Sequence, residues 1–249
     1  AWQKDLLKTE QFKSKERYWL DMFKGEIPVL NMSYDFPRPA MQSYEGSRLD
    51  FKVEDTVYAG LKKLCHKTGA TFFMVLLAAY NVLLAKYTGQ EDIIVGSPIE
   101  GRTHRDLENL IGIFINTLPL RNFPVGERSF KEFLNEVREN ALNAYENQEY
   151  QFEELIEKLN LRRDTSRNPL FDTMFSLQSK DDFSLDYAGL KMYPFKIDTQ
   201  TAKFDIMLEV SEAGNKLSFS LEYCTKLFKA DTIQRLGMHY INILKEIIK

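Results

Sequence analysis

Cysteine is nearly absent: Cys65 and Cys224 are the two in 249 residues. They form no CxxC and give no metal-ligand spacing. A disulfide-built fold is excluded, and so isolated a pair reads as the reduced thiols of a cytosolic protein. Histidine is almost as scarce, with His66, His104 and His239. None begins an HxxH, HExxH or HxxxD pattern, so neither metal chemistry nor acid–base chemistry on a local histidine motif is expected. His66 adjoins Cys65 on an expected helix. Neighbours there point about 100° apart, so the two are no nucleophile–base pair.

Charge of one sign is also lacking. Lysine and arginine total 33 against 36 aspartates and glutamates, a net charge of −3. That gives no pull towards nucleic acid or an anionic membrane. No apolar run reaches the roughly 18 residues of a membrane-spanning helix. The N-terminus has no signal-peptide pattern. It lacks an initiator methionine and starts inside an expected helix, so the chain is expected to be cut from something longer. The loop from Gly96 to Arg102 has neither a Lys-Ser/Thr ending nor a GxGxxG, so no phosphate cradle is expected.

What is present is the balance of a soluble globular chain, 44% hydrophobic and 28% charged, long enough for one large domain or two small ones. Phenylalanine (18) and tyrosine (12) promise a substantial core. Residues 2–24 read as a helix, with Phe12, Lys15, Tyr18, Trp19, Met22 and Phe23 at helical spacing and Gly25 as the stop. A proline-rich connection (26–46) leads to a strand at 48–53. Helices follow at 55–67, ended by Gly69, and at 72–87, capped by Thr71. The second is apolar on nearly every side and therefore central. A continuously apolar strand at 91–96 reads as covered on both faces. Another strand is expected at 113–121. Ser129 and Glu132 form a capping box for a helix at 130–145. A helix at 152–159, a strand at 172–178, a polar loop at 179–188, a hairpin of 205–211 with 217–223 and a helix at 230–248 complete the chain. The succession predicts an α/β fold, a mixed sheet flanked by helices.

Three polar stretches stand out against these apolar elements. Asn116 and Thr117 sit inside the apolar run 111–121. A buried asparagine without partners costs roughly 1–3 kcal/mol. It therefore pairs with a neighbouring loop or lines a polar tunnel, and the segment 147–153, with Gln148, is a candidate partner. In residues 163–170, Arg-Asp-Thr-Ser-Arg-Asn-Pro-Leu, six of eight are polar. Asn168 precedes Pro169 and is biased away from helix. Such a knot is an ordinary surface connection, or its side chains turn inward onto each other or a ligand. Gly101 and Arg102 are candidates to fix the loop after residue 96.

Together these stretches resemble the condensation domains of nonribosomal peptide synthetases. Residues 111–121 resemble that family's IGxFxNTxxxR strand, 147–153 its (H/N)QxxxFE segment, and 163–170 its RDxSRNPL segment at every fixed position. Trp2-Gln3 resembles the end of an earlier motif; Tyr18-Trp19, Asp35-x-Pro37-Arg38-Pro39 and Gly101-Arg102 also fall where the family has such residues. The catalytic signature HHxxxDG is absent, and none of the three histidines takes its place.

The resemblance implies the C-terminal lobe of such a domain, with a chloramphenicol acetyltransferase-like fold, spanning residues 1–249. The N-terminal lobe that carries HHxxxDG is missing, so no catalytic residue is expected here and the chain is expected to be inactive alone. It implies amide formation between thioesters delivered on the phosphopantetheine arms of upstream and downstream peptidyl carrier proteins, beside an adenylation domain. Positioning two acyl chains matters more in that reaction than a strong nucleophile. Asn116, Thr117, Gln148, Ser166 and Asn168 suit a tunnel lining; Arg163, Asp164 and Arg167 suit bracing the tunnel floor or holding the lobes together by charge-assisted bonds. Two other readings stand beside this one: a non-catalytic module binding carrier proteins or a neighbouring domain, and a self-contained small-molecule acyltransferase.

Overall fold

A computed structural model describes residues 9–102, 105–179, 186–187, 190–191, 199–214 and 216–249. Trp2, Gln3 and His104, and most of the polar loop after residue 179, lie outside them. The first described helix, α1 (Glu10–Met22), starts where the Thr9 hydroxyl accepts from the Phe12 amide at 3.2 Å. It buries Phe12, Lys15 and Trp19.

Strand β1 (Gly46–Lys52) alternates as its sequence does, with Leu49 and Phe51 turned inward. Helices α2 (Asp55–Thr68) and α3 (Phe72–Thr88) each stop at a left-handed glycine, Gly69 and Gly89. Thr71 caps α3 by accepting from the Met74 amide at 3.3 Å. Eleven residues of α3 are buried, on all its sides. Leu76, Leu77 and Leu84 are 0% exposed, and each adds about 1.5–3 kcal/mol by leaving water. Among the described residues no single helix is long and apolar enough to cross a membrane. Among the described residues, α2 and α3 reach that length and apolarity only taken together, and the chain bends by 106° between them.

Strands β2 (Ile93–Ile99), β3 (Asn116–Asn122), β4 (Thr173–Ser179), β7 (Ile206–Ala213) and β8 (Lys216–Cys224) join β1 in one six-stranded sheet, ordered β1-β8-β7-β4-β2-β3. In a two-stranded ribbon, β5 (Asp186–Tyr187) falls inside the polar loop expected at 179–188 and pairs with β6 (Leu190–Lys191) just beyond it. The large sheet is mixed: β4 runs parallel to β7 and to β2, and the other pairs are antiparallel. Helices α4 (Phe130–Glu146), α5 (Phe152–Leu159) and α6 (Ala230–Ile247) complete the chain. The central α3 packs against α4, α6 and β2. Ser129 and Glu132 make the expected capping box at α4.

The expected strand at 113–121 begins three residues late. Pairing with β2 starts at Asn116, opposite Ile99. Before it, Ile111, Ile113 and Ile115 stand 105%, 94% and 67% exposed. An alternating apolar pattern makes a strand only when a sheet neighbour and a core face receive it; among the described residues these three have neither. The base of this loop is nonetheless fixed. Gly101 has φ +62°, and a Cβ there would run into the Phe114 carbonyl. The Arg102 guanidinium lies 4.1 Å from the Phe114 ring centroid and donates to the Leu107 carbonyl.

Candidate functional site

Asn116 opens β3 and is 4% exposed. Its Nδ2 donates to the carbonyls of Gln148 and Tyr150, both at 2.8 Å. Its Oδ1 accepts from the amides of Thr117 at 2.8 Å and Phe152 at 3.1 Å. The amide group has two donors and room for two acceptor bonds, so its capacity is filled. Of the two roles open to it from the sequence, the structure gives pairing with the loop at 147–153. Thr117 and Gln148 are half-buried, and their side chains bond to no other described residue. The turn is held from its other side too. Lys15 Nζ reaches the Glu146 carbonyl at 2.6 Å, and Trp19 Nε1 the Asn147 carbonyl at 3.0 Å. At the far end of β3, Arg121 binds Asp92 through Nε at 2.9 Å and Nη2 at 2.6 Å. It also donates to the carbonyls of Met22 and Glu26, fixing the exit from α1.

Residues 163–170 turn inward through Arg167, which faces two aspartates. Arg167 Nη1 donates to Asp172 Oδ2 at 2.8 Å, and its Nε lies 3.5 Å from Asp164. Asp164 Oδ1 accepts from the Ser166 amide at 2.8 Å and hydroxyl at 2.7 Å, and those bonds hold its carboxyl below the usual range. Arg38 comes in from the proline-rich connection. It donates to the Ser166 carbonyl at 2.9 Å, to the Tyr34 hydroxyl at 2.6 Å, and to both oxygens of Asp205. Thr165 ties to Ala40 and Gln42, and Asn168 Nδ2 donates to the Lys203 carbonyl at 2.9 Å. Arg163 is exposed and pairs with no described residue.

Asp172 and Asp205 head two parallel strands side by side, since Thr173 lies opposite Ile206 in the β4–β7 register. Burial, helped by the Asp205 charge, pushes the Asp172 carboxyl up to about 7, against the pull of Arg167 and Arg38. Its Oδ1 is buried without a partner among the described residues. The segment ends in a tight turn: the Phe171 amide bonds to the Pro169 carbonyl at 3.0 Å across Leu170, at φ +74°. That γ-turn geometry is strained for a residue with a Cβ. It persists because Leu170 and Phe171 are both buried.

The structure thus joins two of the three polar stretches directly, 116–117 with 147–153. It links the third to them through aromatic packing: the Phe152 ring lies 5.3 Å from that of Phe171. Phe171 in turn covers Gly96, where a Cβ would run into its ring. The polar side chains of 163–168 share no hydrogen bond with the Asn116 clamp; Thr165 and Asn168 bond instead to Ala40 and Lys203, and Arg167 to Asp172. An open depression of about 820 Å³ lies on the outer face of α2, lined by Tyr58, Ala59, Lys62 and His66 among others; none of the candidate residues borders it. His239 Nδ1 lies 2.8 Å from the Tyr87 hydroxyl, between α6 and α3. Sequence reading missed the roles of Arg38, Asp172, Asp205, Lys15 and Trp19. A usable signal was there for two of them, since an aspartate heads each of two apolar strands.

The mixed sheet, with its buried helix and helical cover, defines first a class, the α/β lobe of chloramphenicol acetyltransferase-like folds. The family model of the condensation domain matches residues 1–249. Bacitracin synthase 3 of Bacillus licheniformis is 50% identical over 248 residues, 100% of this chain and 4% of that protein. Bacitracin synthase 2 of the same organism is 51% identical over 246 residues, 99% of this chain and 9% of that protein. Among solved structures, holo-AB3403, a four-domain nonribosomal peptide synthetase, superposes with a TM-score of 0.87 at 25% identity. The match covers 96% of this chain and 19% of that one. The X-domain from teicoplanin biosynthesis gives a TM-score of 0.87 at 21% identity, over 99% of this chain and 58% of that chain, a likeness of fold. The chain belongs to the condensation-domain family of nonribosomal peptide synthetases. It spans under a tenth of the synthases it matches and little more than half of the X-domain chain.

Proposed function

We propose that this chain is the C-terminal half of a condensation domain that joins aminoacyl or peptidyl thioesters by amide formation. It does so within a larger synthetase and is inactive alone. The observation that carries the reading is the match along the whole chain, at about half identity, to bacitracin synthases. The exposed run of Ile111, Ile113 and Ile115 supports it, being the kind of surface a second lobe covers. In this reading the HHxxxDG motif sits on that other lobe. Both substrates arrive on phosphopantetheine arms of peptidyl carrier proteins, upstream and downstream, with an adenylation domain adjacent.

Among the candidate residues, the side chains of Thr117 and Gln148 have hydrogen-bonding capacity left for a substrate amide. Asn116, Asp164 and Arg167 act as braces, and Ser166 and Asn168 shape the backbone between them. Arg163 faces outward, where a partner domain would meet it. The test is whether the full-length protein transfers a donor acyl group from its carrier to an amine on the acceptor carrier, and fails to take the same group from a free CoA thioester. Turnover of the free CoA thioester with no transfer between carriers would favour a small-molecule acyltransferase instead.

A further inference from the structure

Lys15 interrupts the apolar face of α1. Phe12, Trp19 and Phe23 line that face, and Lys15 is buried among them at 9% exposure. Taking an ammonium out of water is costly unless partners replace the water. Its partners are the Glu146 carbonyl at 2.6 Å and the Glu149 carboxylate at 3.4 Å. Both lie at the turn from α4 to α5. Glu146 ends α4, so its carbonyl is among those a helix leaves unpaired, and a cation there meets the negative end of the helix. Trp19, one turn further along α1, takes the Asn147 carbonyl, and Asn116 takes those of Gln148 and Tyr150. Three side chains from two elements therefore fix four carbonyls of a single turn. An apolar side chain at position 15 would cover the same core but take the ammonium from the Glu146 carbonyl, so the cost of that exchange falls on the turn rather than on the core.

We propose that Lys15 is a positioning residue for condensation: its ammonium fixes the turn that presents Gln148, and its effect is on that turn rather than on the core around α3. The inference rests on the condensation reading above. The test compares wild type, Lys15→Met and Lys15→Arg in the full-length protein, measuring transfer between carriers together with amide hydrogen exchange. Exchange in α3 reports core stability, and exchange at 148–152 reports the turn. For Lys15→Met, exchange in α3 stays within about twofold of wild type while exchange at 148–152 speeds at least about tenfold. Its kcat falls about tenfold to a hundredfold, with KM for the acceptor carrier unchanged. Lys15→Arg keeps the cation and its donors and recovers at least about half of the lost rate. Unchanged exchange at 148–152, a wild-type kcat in Lys15→Met, or a rate loss matched by lost protection in α3 would each overturn the proposal. Absence of transfer in the wild type would overturn the condensation reading instead, and the exchange comparison would still judge the turn.

Discussion

Replacing Asn116 with alanine strips two carbonyls and two amides of their partner in a buried site. Each buried polar group left unsatisfied costs about 1–3 kcal/mol, and water entering the turn recovers part of it. Asn116→Ala is therefore expected to lose at least about 2 kcal/mol in urea unfolding, with the fastest new hydrogen exchange at Thr117 and Phe152. Asp172 makes a separate prediction. Its folded-state value of about 7 lies above the ordinary 3.8, so the folded protein keeps a proton that the unfolded chain releases. The stability this contributes is fully present below about pH 4 and is lost as pH rises through about 7. Asp172→Asn removes the titration, and its unfolding midpoint should fall less than that of the wild type between pH 4 and 8. A slope equal to the wild type's would show that Asp172 titrates normally. At this scale the sequence reveals a polar residue only by contrast with its neighbours. Asn116 is legible because everything around it is apolar, and its partner segment at 147–153 could be named. Arg38 and Asp205 are 167 residues apart, and no local pattern pairs them.

Elements whose ends carry caps were readable to within about two residues: Thr71, Gly69 and the Ser129–Glu132 box fix their helices by local hydrogen bonds. Where an element depends on a distant neighbour, the reading slipped. Residues 113–115 have the apolar character of a strand, yet the strand begins where β2 is there to pair with it. The β5–β6 ribbon went unseen because two-residue strands leave no periodicity to detect. The exposed loop makes its own prediction. Ile111→Ser with Ile113→Ser removes apolar surface that the lobe does not bury, so the unfolding free energy of this chain should change little, by about 0.5 kcal/mol or less per site. Its self-association, measured by analytical ultracentrifugation, should fall. A large loss of stability would place these side chains in the core and contradict their exposure.

For the whole molecule, the order of strands was beyond the sequence. A buried apolar strand such as β2 pairs equally well in many registers, and long-range packing alone chose β4 and β3 as its neighbours. The α/β class and the central helix were legible because composition and periodicity encode burial directly. The candidate site was legible as three stretches, but not as one clamp, one ion-paired knot and the aromatic contact between them. Amide formation between carrier-bound substrates is the role proposed above for this lobe. The most direct measurement is the intact mass of the acceptor carrier after the full-length protein is supplied with loaded donor and acceptor arms. The expected result is a gain equal to the donor acyl group, dependent on both arms. An unchanged acceptor mass, with both arms verified as loaded and the protein folded, would contradict it.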